Sequence, residues 1–193
     1  LQTAGITMAL VGIYRISNLH IKNPILKIIP FLILSWFWGI SGLLLFDFHV
    51  EVFALPLLIW GIYYLELKHI KKALILLFLA LISKEDIGLF IGMLGISEFI
   101  RKKSKYGLLL LIGFLYSYLI IFHVMPLIRE EDLDTMARYA YLGNSVGEII
   151  KTIFTEPMRL IEQLAQLYKI KYIIKLILPT LGLFLLAPTY AIT

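Results

Sequence analysis

Two groups of charged residues, each set between apolar runs, carry the chemistry this sequence could perform: Asp47-Phe48-His49-Val50-Glu51 and Lys84-Glu85-Asp86. In the first, three ligand-type side chains occupy alternate positions. An extended backbone puts all three on one side, whereas a helix puts Asp47 and Glu51 on one face and turns His49 away. Asp, His and Glu together suit a divalent cation, or the positioning of a sugar hydroxyl and a proton. A helix end whose acidic groups are simply hydrated uses the same residues. A divalent metal on Asp47, His49 and Glu51 is the one cofactor the residues bring to mind. In the second group, three ionisable residues in a row are expensive beside lipid unless they face a cavity, so they are read as functional. Lys84 can hold a phosphate as a point charge, and a following helix N-terminus adds donors and a favourable dipole. Glu85 or Asp86 would otherwise neutralise Lys84 or cap that helix. His123, Arg129 and Arg138 are better explained by local packing and pairing. The chain shows no Gly-rich phosphate loop, no Ser-His-Asp arrangement and no HExxH. It has no cysteine, which removes thiol catalysis, Cys-based zinc sites and disulfides.

The elements that must position these groups are membrane elements. Of 193 residues 60% are hydrophobic and 16% charged, and the mean hydropathy is +0.89. A soluble domain has about a quarter charged residues. Too few charges remain for a polar shell, and those present are clustered, so the apolar runs between them fit lipid. Disorder is excluded by the same composition. The net charge of +5 sits in short runs between apolar segments, which points to a bilayer as partner rather than nucleic acid. The chain opens at Leu1 inside one apolar stretch, without the basic region of a signal peptide, and closes inside another, so it reads as a piece of a longer protein.

Apolar segments run over 1–14, 28–46, 52–65, 73–83, 87–100, 106–125 and 173–193. No polar residue recurs at every second position, so these read as helices rather than barrel strands. Connectors at 15–27, 68–72 and 101–105 hold ten of the eighteen Lys and Arg residues. They alternate with acidic or mixed connectors at 47–51, 83–86 and 127–156. With the basic ones in the cytoplasm, 47–51, 84–86 and 127–156 are extracytoplasmic. Tyr14, Tyr63, Tyr64 and Tyr106 lie beside basic connectors, as an interfacial belt requires. Read as one helix, 73–100 would bury Lys84, Glu85 and Asp86 near mid-membrane. Read as two, each helix is short of the roughly 30 Å hydrocarbon core. Ser83 as N-cap with Asp86 three residues on resembles a capping box and favours the break, a hairpin whose tip needs a protein-lined cavity.

After Pro126 the chain turns polar. Glu130, Glu131, Asp132 and Asp134 cluster, Gly143-Asn144 are turn residues, and Ser145 with Glu148 offers another capping box. Thr155-Glu156-Pro157 starts a helix expected over Met158 to Tyr168, with Leu160, Ile161, Leu164 and Leu167 on one face, lying on the membrane or facing solvent. The expectation is an all-α, polytopic membrane protein with six to seven membrane helices, some of them short hairpin helices. It divides into a multi-helix region (1–126), an extracytoplasmic loop with short amphipathic helices (127–170), and the start of a further helix (171–193).

Phe48-His49-Val50-Glu51 with Ala54-Leu55-Pro56, then Ser83-Lys84-Glu85-Asp86, then Arg138-Tyr139-Ala140-Tyr141-Leu142-Gly143, resemble in order and spacing the prokaryotic predicted membrane proteins grouped as domain of unknown function 2079. The resemblance covers nearly the whole chain. Val50 stands where that family's first motif usually has Pro. The family is in turn similar to the GT-C multi-pass glycosyltransferases, which take a sugar from a polyprenyl-phosphate donor at the outer membrane face. The resemblance implies that the catalytic acidic residue belongs to a loop preceding Leu1. It assigns substrate binding here to Asp47, His49 and Glu51, with Lys84, Glu85 and Asp86 facing them and Arg138 in the third motif. Two other classes compete: a transporter or channel whose solute path the same charges line, and a membrane protein without catalysis. Inverted repeats and paired broken helices would favour the transporter, and neither is visible in the sequence.

Overall fold

The computed structural model describes residues 1–37, 51–102, 105–128 and 140–177, and every regular element among them is helical. The elements are α1 (Gln2–His20), a 3-10 turn (Leu26–Ile28), α2 (Ile29–Trp36), α3 (Glu51–Glu66), α4 (Ile70–Ser83) and α5 (Ile87–Lys102). A helical column follows: α6 (Lys105–Leu110), α7 (Ile112–Leu119), a π-helical turn (Ile120–Val124) and α8 (Met125–Ile128). Beyond it come α9 (Val146–Thr155), α10 (Pro157–Leu164) and α11 (Leu167–Ile177).

Glycines set how the helices align. A Cβ on Gly5 would strike Val52, and one on Gly12 would strike Ile59, so α1 and α3 run parallel in register. Gly61 lies against Leu77 and the Ala73 carbonyl, so α4 returns antiparallel to α3. The closest approach is between α5 and the column. A Cβ on Gly88 would come within 2.5 Å of the Gly113 carbonyl oxygen, and one on Gly107 within 2.7 Å of the Gly95 carbonyl oxygen. Backbone packed on backbone through small residues is how helices associate where lipid gives no hydrophobic drive. Leu58, Leu65, Ala73, Leu77, Ala80, Ile91, Leu94 and Leu110 form the main core between α3, α4, α5 and α6.

The turn from α3 to α4 is a Schellman motif. The His69 N–H donates to the Tyr64 carbonyl (2.9 Å) and the Lys68 N–H to the Leu65 carbonyl (3.0 Å), with Lys68 in the left-handed region at φ 60°. The His69 ring packs edge-on against Tyr64, which completes the contact such a cap makes. Tyr63, Tyr64 and Trp60 cluster there, and Lys72 stands over the Tyr64 ring.

Residues 73–100 are two helices rather than one. α4 spans 14 residues and α5 16, about 21 and 24 Å, and they form a hairpin because Arg101 at the end of α5 returns to Glu66 beside the start of α4. The capping box expected at Ser83 does not form. Ser83 is the last residue of α4 and its hydroxyl donates back to the Leu79 carbonyl (3.5 Å), a bond open to it only while the helix still runs. The cap at Ser145 does form, with the return bond of the box displaced by one residue: the Glu148 N–H donates to the Ser145 hydroxyl (3.3 Å), and the Asn144 N–H, rather than that of Ser145, donates to the Glu148 carboxylate (2.8 Å). The helix expected over Met158 to Tyr168 is broken. α10 closes at Leu164, and the chain restarts at Leu167 because the Gln166 carbonyl accepts the N–H groups of Lys169 and Ile170. Among the described residues one stretch, Tyr106–Val124, is long and apolar enough to cross a membrane. Leu26–Trp36 and Val52–Glu66 are apolar but shorter.

Candidate functional site

The break between α4 and α5 is built by the backbone first. Lys84 leaves the helix in an extended conformation (φ −164°, ψ 148°), and the Ile87 N–H then donates to the Lys84 carbonyl (3.3 Å). Leu89 N–H donates to the Asp86 carbonyl (3.0 Å), which leaves Asp86 as the residue flanking α5. The Lys84 ammonium lies 3.7 Å from an Asp86 carboxylate oxygen, with the two side chains 37% and 55% exposed. An ion pair that open to solvent is worth about 0–1 kcal/mol.

The column holds this turn in place. The Tyr116 hydroxyl donates to the Leu81 carbonyl (3.0 Å), and the buried Ser117 hydroxyl donates to the Glu85 carbonyl. Neither residue figures in the reading of the sequence. The signal was present, since a hydroxyl inside an apolar run must find a partner and helix-end carbonyls are the ones left open. His123 stands on the π-helical turn beyond Ser117, exposed, with its ring 5.4 Å from Tyr118.

Of the residues proposed from sequence, the structure brings Lys84, Glu85 and Asp86 together in one turn. Glu51 opens α3, and the alignment of α3 with α4 sets that helix end at the level of the same turn. Asp47, His49, Arg129 and Arg138 lie outside the described residues, so the set Asp47, His49 and Glu51 is not assembled by them. Among the described residues no group of three or more His, Asp or Glu side chains is placed to hold a metal ion.

At the opposite end of the helices a second charged group appears that the sequence reading passed over. Glu66 receives His20 Nε2 at 3.6 Å and Arg101 Nη2 at 3.9 Å, and Arg101 Nη1 reaches Glu98 at 3.8 Å. Glu98 is buried, and the Glu66 side chain is only 12% exposed. These acids lie at the end where the basic connectors gather, and they tie α1, α3 and α5 to one another.

A family model described as "Predicted membrane protein (DUF2079)" matches residues 1–191. The chain belongs to this family. No curated protein and no solved structure matches it. As a DUF2079 protein it associates with a lipid bilayer, which agrees with its composition and with the small-residue packing of α5 on the column. In this DUF2079 chain the charged turn 84–86 and the charged group around Glu66 stand at opposite ends of the same helices.

Proposed function

We propose that this DUF2079 protein is a multi-pass membrane protein and part of a GT-C-like glycosyltransferase that uses a polyprenyl-phosphate-linked sugar at the extracytoplasmic face. The basic connectors face the cytoplasm, and 47–51, 84–86 and the loop 127–170 lie outside. Lys84 receives the donor phosphate, Glu85 and Asp86 set the charge around it, and Asp47, His49 and Glu51 hold the sugar or a divalent cation. Arg138 completes the anion side of the site. The observation that carries this reading is the broken helix itself. A cation stands in a turn at the mouth of the helices, paired with Asp86, and the Leu81 and Glu85 carbonyls on either side of it accept from the Tyr116 and Ser117 hydroxyls. A purely structural turn there would more economically use neutral residues, because charge beside the membrane interior costs stability.

The test is transfer from lipid-linked sugar donors by the full-length protein in membranes. Lys84→Met keeps the packing of the stem and deletes the charge. It should lower transfer about 10- to 100-fold, the weight of one charge-assisted hydrogen bond, with expression unchanged. Glu51→Ala should abolish transfer. Full activity of Lys84→Met with every donor, or losses only in proportion to expression, would overturn the phosphate role. Solute movement that Lys84→Met stops, with no transfer by the parent protein, would replace the enzyme with the transporter.

A further inference from the structure

The third motif of the sequence leads to a polar concavity, remote in sequence from the charged turn. Its described part, Ala140 to Gly143, folds against α9 and the start of α10 around a space of about 380 Å³. That is the size of a small-ligand pocket, which runs from about 300 to 1,000 Å³. Tyr141, Asn144, Glu148, Lys151, Thr152 and Arg159 line it. Three contacts fix its walls. Glu148 holds the Asn144 N–H at 2.8 Å, Arg159 Nε closes on Glu156 at 2.7 Å, and the Thr155 hydroxyl donates to the Lys151 carbonyl at 2.9 Å. From α11, Lys169 stands over the Tyr141 ring, 5.7 Å from its centroid. Among the described residues no carboxylate pairs with the Lys151 ammonium.

We infer that this concavity binds a neutral mono- or disaccharide. The charges that line it choose the class. Glu156 and Arg159 neutralise each other and Glu148 offsets Lys151, so the lining carries no net charge to hold a phosphate or a metal cation. What remains is a mixed set of donors and acceptors within one small space, beside an aromatic ring. A polyol satisfies such a set because each of its hydroxyls both donates and accepts. Lys151 and Thr152, adjacent on α9, offer an ammonium and a hydroxyl to neighbouring sugar oxygens, and Tyr141 supplies a wall for the apolar face of a ring. The inference stands on the loop residues alone and does not rest on the transferase reading.

The test is saturation-transfer difference NMR on the full chain in lipid nanodiscs, with glucose, mannose, N-acetylglucosamine and maltose as probes. At about 10 mM, roughly ten times a millimolar Kd, at least one sugar should show transfer to its ring protons. Lys151→Met and Thr152→Val should each weaken that signal about 3- to 10-fold, the weight of one hydrogen bond. Thr152→Ser should restore it, and Lys22→Met, at the opposite end of the helices, should leave it unchanged. No signal from any of the four sugars, equal signals from all variants, or displacement of the sugar by inorganic phosphate at the same concentration would overturn the inference. Failure here would leave the Lys84 transfer assay untouched, so the two proposals fall separately.

Discussion

Lys68 holds a backbone conformation that its side chain resists. At φ 60° it fills the left-handed position of a Schellman cap, where glycine is the usual residue because a Cβ there meets the carbonyl oxygen. The penalty is about 1–2 kcal/mol, and glycine gives back about 0.5–1 kcal/mol of it in backbone entropy. Lys68→Gly should therefore stabilise the folded protein by about 0.5–1 kcal/mol, read as a raised melting temperature in detergent, and an unchanged or lower value would contradict the cap. Ser83 behaves in the opposite sense. As an N-cap its loss would cost about 1 kcal/mol. As the end of α4, with a long bond back to Leu79, its change to Ala should cost less than about 0.5 kcal/mol and leave activity near normal. Charged residues could be read from sequence because they interrupt apolar runs. The backbone state of Lys68 could not, since nothing in a basic connector marks which lysine turns left-handed.

The seam between α5 and the column is the element-scale device that sets the charged turn. Gly88, Gly92 and Gly95 recur at helical spacing and lie against Gly113, Phe114 and Gly107. A methyl group on Gly88 would meet both the Gly113 carbonyl and the Ser117 hydroxyl, the group that anchors Glu85. Gly88→Ala should force the helices apart, cost about 1–3 kcal/mol as overpacking does, and lower any activity that depends on Lys84. Gly147→Ala is the matched opposite: nothing lies within 4 Å of its Cβ, and it sits in the first turn of α9. It should stabilise by about 0.4–1 kcal/mol without touching the turn. Thermal unfolding of the two variants side by side checks the seam, and equal effects would refute it. The apolar runs and the break at 84–86 were legible because charge marks both. The seam was not, because glycine spacing names a face without naming its partner. The end of α10 at Leu164 was also hidden, since no Gly or Pro marks it and the Gln166 carbonyl makes the restart.

At the scale of the whole molecule the two ends of the helices differ in kind. One end gathers the basic connectors and holds Glu66 and Glu98 against Arg101, with His20 Nε2 beside Glu66. The other presents Lys84 and Asp86 in an open turn. Glu66 and Glu98 thus share Arg101 among the basic connectors, and acidic residues contribute little to the Lys and Arg bias that orients a membrane protein. On the topology proposed above, the His20–Glu66–Arg101 end is cytoplasmic and Asn144, just before α9, is outside. The chain has no cysteine, so single substitutions report sidedness without background. In intact cells a membrane-impermeant maleimide should label Asn144→Cys and should reach Asn23→Cys, in the connector after α1, only once the membrane is permeabilised. Labelling of Asn23→Cys in intact cells would invert the topology. It would put the Lys84 turn in the cytoplasm, where no lipid-linked donor of the outer face could reach it, so the orientation and the proposed chemistry stand or fall on the same experiment.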